Sequence, residues 1–520
     1  MHKSNNRRSL RKHTPRATLI AAVILVSFGT NAVPGQTTDE SGPAQARRFE
    51  TNHQGVFGGE RVRYKATVAE SFLRDGEGRP AASLISISYI RTNAPKNRVR
   101  PVVFVFNGGP GSSSVWTHMG LVGPRRVFFG DEVNPETTPP FRIADNPDSI
   151  LDVADVVLFD PPGTGFSRVL PDGKPEQFYG VMQDAQATVR FIEDWVNEHG
   201  RWHSPRFLMG ESYGTVRAAV VAKLLAGGPM TTGHMEGLTL NGVILLGQSM
   251  NFGIGELSFA NALSSFAATA WYHGKVNKTD RTLEQHVAEA ESFAADEYVR
   301  ALYAGTRLSD TERSSIASRL SELTGLSTEY VLEKDLRISR GEFSAELLRD
   351  EGSQVGSYDS RFTLPLKASG NDPVSDDPAM GQYVPAFIAV LNSYMRDELG
   401  VSVEERYRAI EFREVNARWD YGAGPGSRPN RNFAVDLAAA MRRNPALFLF
   451  VGAGYYDLVT TMGAASYMLA HTDLPLDRVT QHNYRSGHMP YLGGSSLGRL
   501  AGDLRTFIKK ASAGSAEGRN

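Results

Sequence analysis

Gly210-Glu211-Ser212-Tyr213-Gly214 stands between an apolar run, Phe207-Leu208-Met209, and a helix-like run from Thr215 to Ala226. A strand, a sharp turn and a helix in direct succession leave little choice of fold. The serine is lifted at the carboxyl edge of a sheet, with the positive end of the following helix beneath it. Glycines flank it because the turn brings the backbone too close to its neighbours for side chains. Such a nucleophile elbow points to covalent hydrolysis or acyl transfer. It also requires an acid, a base and an oxyanion hole elsewhere in the chain.

The surrounding sequence has the alternation that such a sheet needs. Pro101 to Phe106, Val156 to Phe159, Val243 to Leu246 and Leu447 to Val451 are apolar throughout, as strands buried on both faces of a parallel sheet are. Ile85, Ile87 and Tyr89 alternate with Ser86 and Ser88, which predicts a half-buried strand. Tyr179 to Glu198 predicts a helix with Met182, Ala185, Val189, Ile192 and Val196 on its buried face. The fold class expected is α/β, a mostly parallel central sheet flanked by helices. From 251 to 385 the pattern turns helical and charged over Gly255 to Val276, Thr282 to Ala304 and Asp310 to Glu333. This segment reads as a largely helical cap inserted between a first core part, 61–250, and a second, 386–512.

Residues 1–32 read as a signal peptide. Lys3, Arg7, Arg8, Arg11, Lys12 and Arg16 precede the apolar run Ala17 to Gly29, and a cleavage site falls near Ala32. The run is shorter than the roughly 20 residues that span a bilayer. A loose leader is expected over 33–60. The chain has no cysteine, which excludes a thiol nucleophile and thiolate metal sites and suits an exported periplasmic or secreted protein with a large core. Lys+Arg (56) and Asp+Glu (57) nearly cancel, so no net field draws the chain to nucleic acid. No His-Glu-x-x-His, calcium loop or dinucleotide fingerprint appears.

On an α/β-hydrolase the triad runs Ser, Asp/Glu, His along the chain. Asp457 follows the run Leu447 to Val451 and the loop Gly452-Ala453-Gly454-Tyr455-Tyr456, which puts it past the carboxyl end of a core strand. Of the histidines beyond it, His488 sits in a tight loop, Ser486-Gly487-His488-Met489-Pro490. His482 falls in an extended run and His471 follows a helix. Ser212, His488 and Asp457 are the candidate nucleophile, base and orienting acid. Asn107-Gly108-Gly109-Pro110-Gly111-Ser112-Ser113-Ser114 follows another strand run. The Gly109 and Tyr213 amides are the candidate oxyanion hole. No lysine follows that loop at the spacing a phosphate loop needs.

Together with Asp160-Pro161-Pro162-Gly163-Thr164-Gly165-Phe166-Ser167, these motifs resemble the serine carboxypeptidase family. The resemblance implies removal of single residues from peptide C-termini, often best at acidic pH, without metal or cofactor. It implies that Asn107 and Gly108 bind the substrate carboxylate and that Glu211 shares a proton with it. Many members place a second glutamate where this chain has Leu121, before Val122-Gly123-Pro124. His118, Arg125 and Arg126 are the nearby groups that could compensate. The missing acid predicts activity at less acidic pH than is usual in the family. It also keeps open an esterase or acyltransferase using the same triad.

Overall fold

A computed structural model describes residues 46–95, 99–233, 235–251, 254–368, 370, 372–427 and 431–517. The signal-peptide segment 1–32 and the first part of the expected leader lie outside the described residues. The rest of that leader is not loose. Arg48–Phe57 forms strand β1, which pairs antiparallel with β2 (Glu60–Arg74) across a turn at Gly58 and Gly59.

Seven further strands complete the main path of the sheet: β3 (Pro80–Arg91), β4 (Val102–Phe106), β5 (Asp155–Asp160), β6 (Arg206–Glu211), β7 (Gly242–Leu246), β8 (Phe448–Gly454) and β9 (Val479–Tyr484). Their spatial order is β1-β2-β3-β5-β4-β6-β7-β8-β9, with Arg168–Val169 pairing beside β3. From β5 to β9 every neighbouring pair is parallel, and β1, β2 and β3 are antiparallel. Strands β4 to β7 are buried at every residue, because each face of the sheet carries its own apolar core.

Two expectations need correcting. Ser86 and Ser88 on β3 are buried, not solvent-facing. Ser88 Oγ accepts from Trp195 Nε1 at 3.1 Å, so helix α1 (Val181–Glu198) covers that face and satisfies the hydroxyl. On α1 itself Met182 is exposed and Val189 only half-buried, while Asp184, Thr188, Phe191 and Trp195 are buried. The buried stripe is rotated because it includes a carboxylate. Asp184 pairs at 2.8 Å with Arg217 of helix α2 (Tyr213–Leu225), both out of solvent. Burial raises the Asp184 carboxyl above its ordinary range, and the guanidinium partly offsets this.

Between β7 and β8 the chain forms helices. These include α3 (Leu257–Tyr272) and α4 (Arg340–Glu346), which share a separate core in which Phe266 stacks on Phe343 at 4.0 Å. Helix α5 (Met380–Asp397) runs across the expected boundary between 385 and 386. Its Tyr383, Phe387 and Tyr394 belong to the core beneath the sheet.

Candidate active site

Ser212 follows β6 at φ +57° and ψ −127°, a backbone region that few non-glycine residues adopt. The elbow is held on both sides. Ser212 N–H donates to Leu246 O at 2.9 Å, and Thr215 N–H and Oγ1 donate to Ser212 O at 2.9 and 2.7 Å. The turn has no room for side chains beside it. A Cβ on Gly210 would lie 2.1 Å from Gly214 O, and one on Gly108 would lie 2.4 Å from Tyr213 N. The two loops that frame the serine are therefore in backbone contact.

Ser212 and His488 line one cavity of about 610 Å³, together with Asn107, Gly108, Gly109, Glu211 and Tyr213. Among the described residues Ser212 Oγ makes no hydrogen bond. The Gly109 and Tyr213 amides donate to no backbone acceptor there. Two open N–H groups and a free hydroxyl in one cavity are the parts that acyl chemistry needs.

Asp457 stands behind His488, fully buried, with its Oδ2 2.9 Å from His488 Nδ1. It is well satisfied. Oδ1 accepts from the Val459 and Thr460 amides at 2.7 and 2.8 Å, and Oδ2 accepts from Thr460 Oγ1 at 2.5 Å. Burial alone would raise this carboxyl. The charge of His488 and the four hydrogen bonds hold it below the ordinary aspartate range. Burial likewise opposes the charged imidazole, but the Asp457 carboxylate overrides it and His488 is raised.

Two supports of the histidine carry no motif. Thr460 Oγ1 lies 3.0 Å from His488 Nδ1. Tyr358 accepts the His488 amide on its carbonyl at 2.6 Å and sets its ring edge-on to the imidazole, 5.3 Å away. Thr460 has a local signal, because an aspartate that caps the amides two and three residues on is a turn former. Tyr358 has none, since it arrives from the inserted segment.

Asn107 Nδ2 donates to Glu211 Oε1 at 2.7 Å. Asn107 is itself fixed, accepting from Thr117 Oγ1 on Oδ1 at 2.7 Å and from Arg217 on its backbone carbonyl at 2.6 Å. Glu211 Oε2 is buried without a hydrogen-bond partner. Burial pushes the Glu211 carboxyl up to about 7, against the opposing effects of His488, Tyr491 and Asn107. A neutral carboxyl at that position can donate to a carboxylate as well as accept.

Leu121 is buried in the core and does not line the cavity. The basic groups near it do not compensate. His118 is fully buried, bonded to Tyr89 Oη at 2.6 Å, and its pKa is lowered to about 3 by burial. Arg125 pairs with Glu398 and Asp145, and Arg126 faces a small separate pocket. Trp116 lines the cavity and also packs on Phe387, with its Nε1 bonded to Ser112 Oγ at 2.8 Å. Tyr455 and Tyr456 lie outside the cavity lining. Among the described residues no cluster of His, Asp and Glu is placed to hold a metal ion.

Comparisons with known proteins give the same frame. The family model described as serine carboxypeptidase matches residues 86–489. No curated protein matches in sequence. Among solved structures, Kex1(delta)p, a prohormone-processing carboxypeptidase from Saccharomyces cerevisiae, is similar over 86% of this chain and 92% of its own, at 14% identity and a TM-score of 0.56. A carboxyl esterase from Bacillus coagulans covers 85% of this chain and 98% of its own at 15% identity, with a TM-score of only 0.35. The fold is that of the α/β-hydrolases, and the chain belongs to the serine carboxypeptidase family.

Proposed function

We propose that the protein removes C-terminal residues from peptides through an acyl-enzyme on Ser212. His488 takes the hydroxyl proton and returns it to the leaving amine, and Asp457 fixes the imidazole tautomer. The Gly109 and Tyr213 amides receive the oxyanion. The observation that carries this reading over a simple esterase is the buried Asn107–Glu211 pair beside the serine, with Glu211 Oε2 left open. A free C-terminal carboxylate in the cavity can accept a hydrogen bond from Glu211 once it is protonated, an interaction that a simple ester does not offer. The helical segment between β7 and β8 acts as a cap, since Ser258, Asn261, Arg340 and Tyr358 line the cavity.

The test compares a blocked dipeptide with its C-terminal amide across pH. The free acid should be cleaved and the amide should not. KM for the free acid should rise as pH passes upward through about 7, where Glu211 loses its proton. Glu211→Gln, which keeps a neutral donor, should flatten that rise. On the acid side kcat should fall as His488, held above its ordinary value, gains a proton. The optimum therefore lies near neutrality. An optimum below about pH 5, close to the free glutamate value, contradicts this assignment. Equal cleavage of acid and amide contradicts the carboxypeptidase reading.

The basic and apolar run before Ala32 supports export. The mature chain from the producing cell should begin near residue 33 by mass. An intact Met1 would refute cleavage. Among the described residues no helix is long and apolar enough to cross a membrane.

A further inference from the structure

Along the carboxyl edge of the sheet β4, β6, β7 and β8 stand in that order. Asn107 follows β4, Ser212 follows β6 and Asp457 follows β8. The Asn107–Glu211 pair is therefore on one side of the serine and the loop 457–461 on the other. On the carboxypeptidase reading, a substrate holds its C-terminus on the first side. Its acyl part, beginning with the penultimate residue, then extends toward the second.

That second side carries a cation and a buried unsatisfied donor. Arg340, at the start of α4, lines the cavity, and its Nη1 donates to the carbonyls of Leu458, at 3.1 Å, and Val459. It is solvent-exposed and has no ion-pair partner among the described residues. Asn261, on α3, lines the same cavity and its Nδ2 is buried without a hydrogen-bond partner. Both residues touch one loop, since Thr461 Oγ1 donates to Asn261 O at 2.9 Å. Among the described residues that line the cavity, Glu211 is the one carboxyl group, and it belongs to the other side.

We propose that Arg340 and Asn261 form a subsite for an acidic side chain on the acyl side of the scissile bond, so that peptides with penultimate Glu or Asp are preferred. A carboxylate there gains charge-assisted bonds from the guanidinium fork and gives the Asn261 amide an acceptor. An apolar side chain leaves the amide unsatisfied. A side-chain amide satisfies the asparagine but not the charge.

The experiment measures kcat/KM near pH 6 for blocked Glu-Leu, Gln-Leu and Lys-Leu, where the substrate glutamate is ionised. The same acyl groups are also presented as methyl esters. The wild-type protein should prefer Glu over Gln by about 10-fold, the size expected of one charge-assisted contact. That ratio should shrink as salt is raised. Arg340→Gln should bring the ratio close to one, and Arg340→Glu should move the preference toward Lys. If Arg340 only holds the loop of Asp457, its replacement slows all substrates equally and leaves the ratio intact, which overturns the proposal. A wild-type ratio near one overturns it without any variant. The ester series reads the same ratio even if peptides with free C-termini prove not to be substrates, so failure of the carboxypeptidase reading is told apart from failure of this one.

Discussion

Ser212→Ala should lower kcat by on the order of 10⁶ while leaving the fold in place. The side chain makes no hydrogen bond among the described residues, so its oxygen contributes nothing to holding the elbow. The elbow is held by the Ser212 amide and carbonyl, bonded to Leu246 and Thr215. Alanine keeps both. The strained φ of +57° is tolerated because those backbone bonds and the contact with the Asn107 loop over-determine it. The variant should unfold at nearly the wild-type temperature, bind the free-acid dipeptide with similar affinity and fail to react with a fluorophosphonate probe. Turnover within tenfold of wild type in a clean preparation would remove Ser212 from the chemistry.

Asp457→Asn should reduce kcat by about 10⁴ with a much smaller change in KM, as the loss of a triad carboxylate does elsewhere. The two backbone amides on Oδ1 can still be accepted by an asparagine oxygen, so the loop survives. The atom facing His488 Nδ1 then becomes an NH₂ group, which requires the imidazole to turn its other tautomer toward the serine. With the anion gone, burial is opposed only by the more distant Glu211 and Asp377, so the pKa of His488 should fall. The acid limb of the kcat profile should shift to lower pH in parallel. A tenfold loss or less, with an unmoved acid limb, would mean that Asp457 does not orient the histidine.

The candidate site is legible in the sequence where each group sits on a glycine-rich loop just past an apolar strand. Asn107, Ser212 and Asp457 satisfy that description, because close backbone approach demands glycine and a parallel core strand demands an unbroken apolar run; Glu211 is the last residue of its strand, and His488, past the polar strand β9, is marked by its glycine loop and its place after Asp457. At the antiparallel end of the sheet β3 is legible from its alternation, but β1 is not. β1 reads Arg-Phe-Glu-Thr-Asn-His-Gln-Gly-Val-Phe, and its alternating exposure reflects an outer strand whose polar residues resemble those of a loop. The stripe on α1 is misread because Asp184 belongs to the buried face, where Arg217, 33 positions away, and Tyr213 satisfy its carboxylate. Arg340, Asn261 and Tyr358 carry no local signature. They reach the cavity through the tertiary path of the inserted helices, which no spacing rule encodes.

Leu458, the residue after Asp457, is buried in the separate core of the inserted helices, and its amide donates to Ser357 O at 2.9 Å. One leucine thus ties the loop of Asp457 to the core of the inserted helices. The loop that carries the carboxylate behind the imidazole is therefore held from the inserted segment as well as by its own turn. The inserted segment thus supports the position of Asp457 as well as walling the cavity.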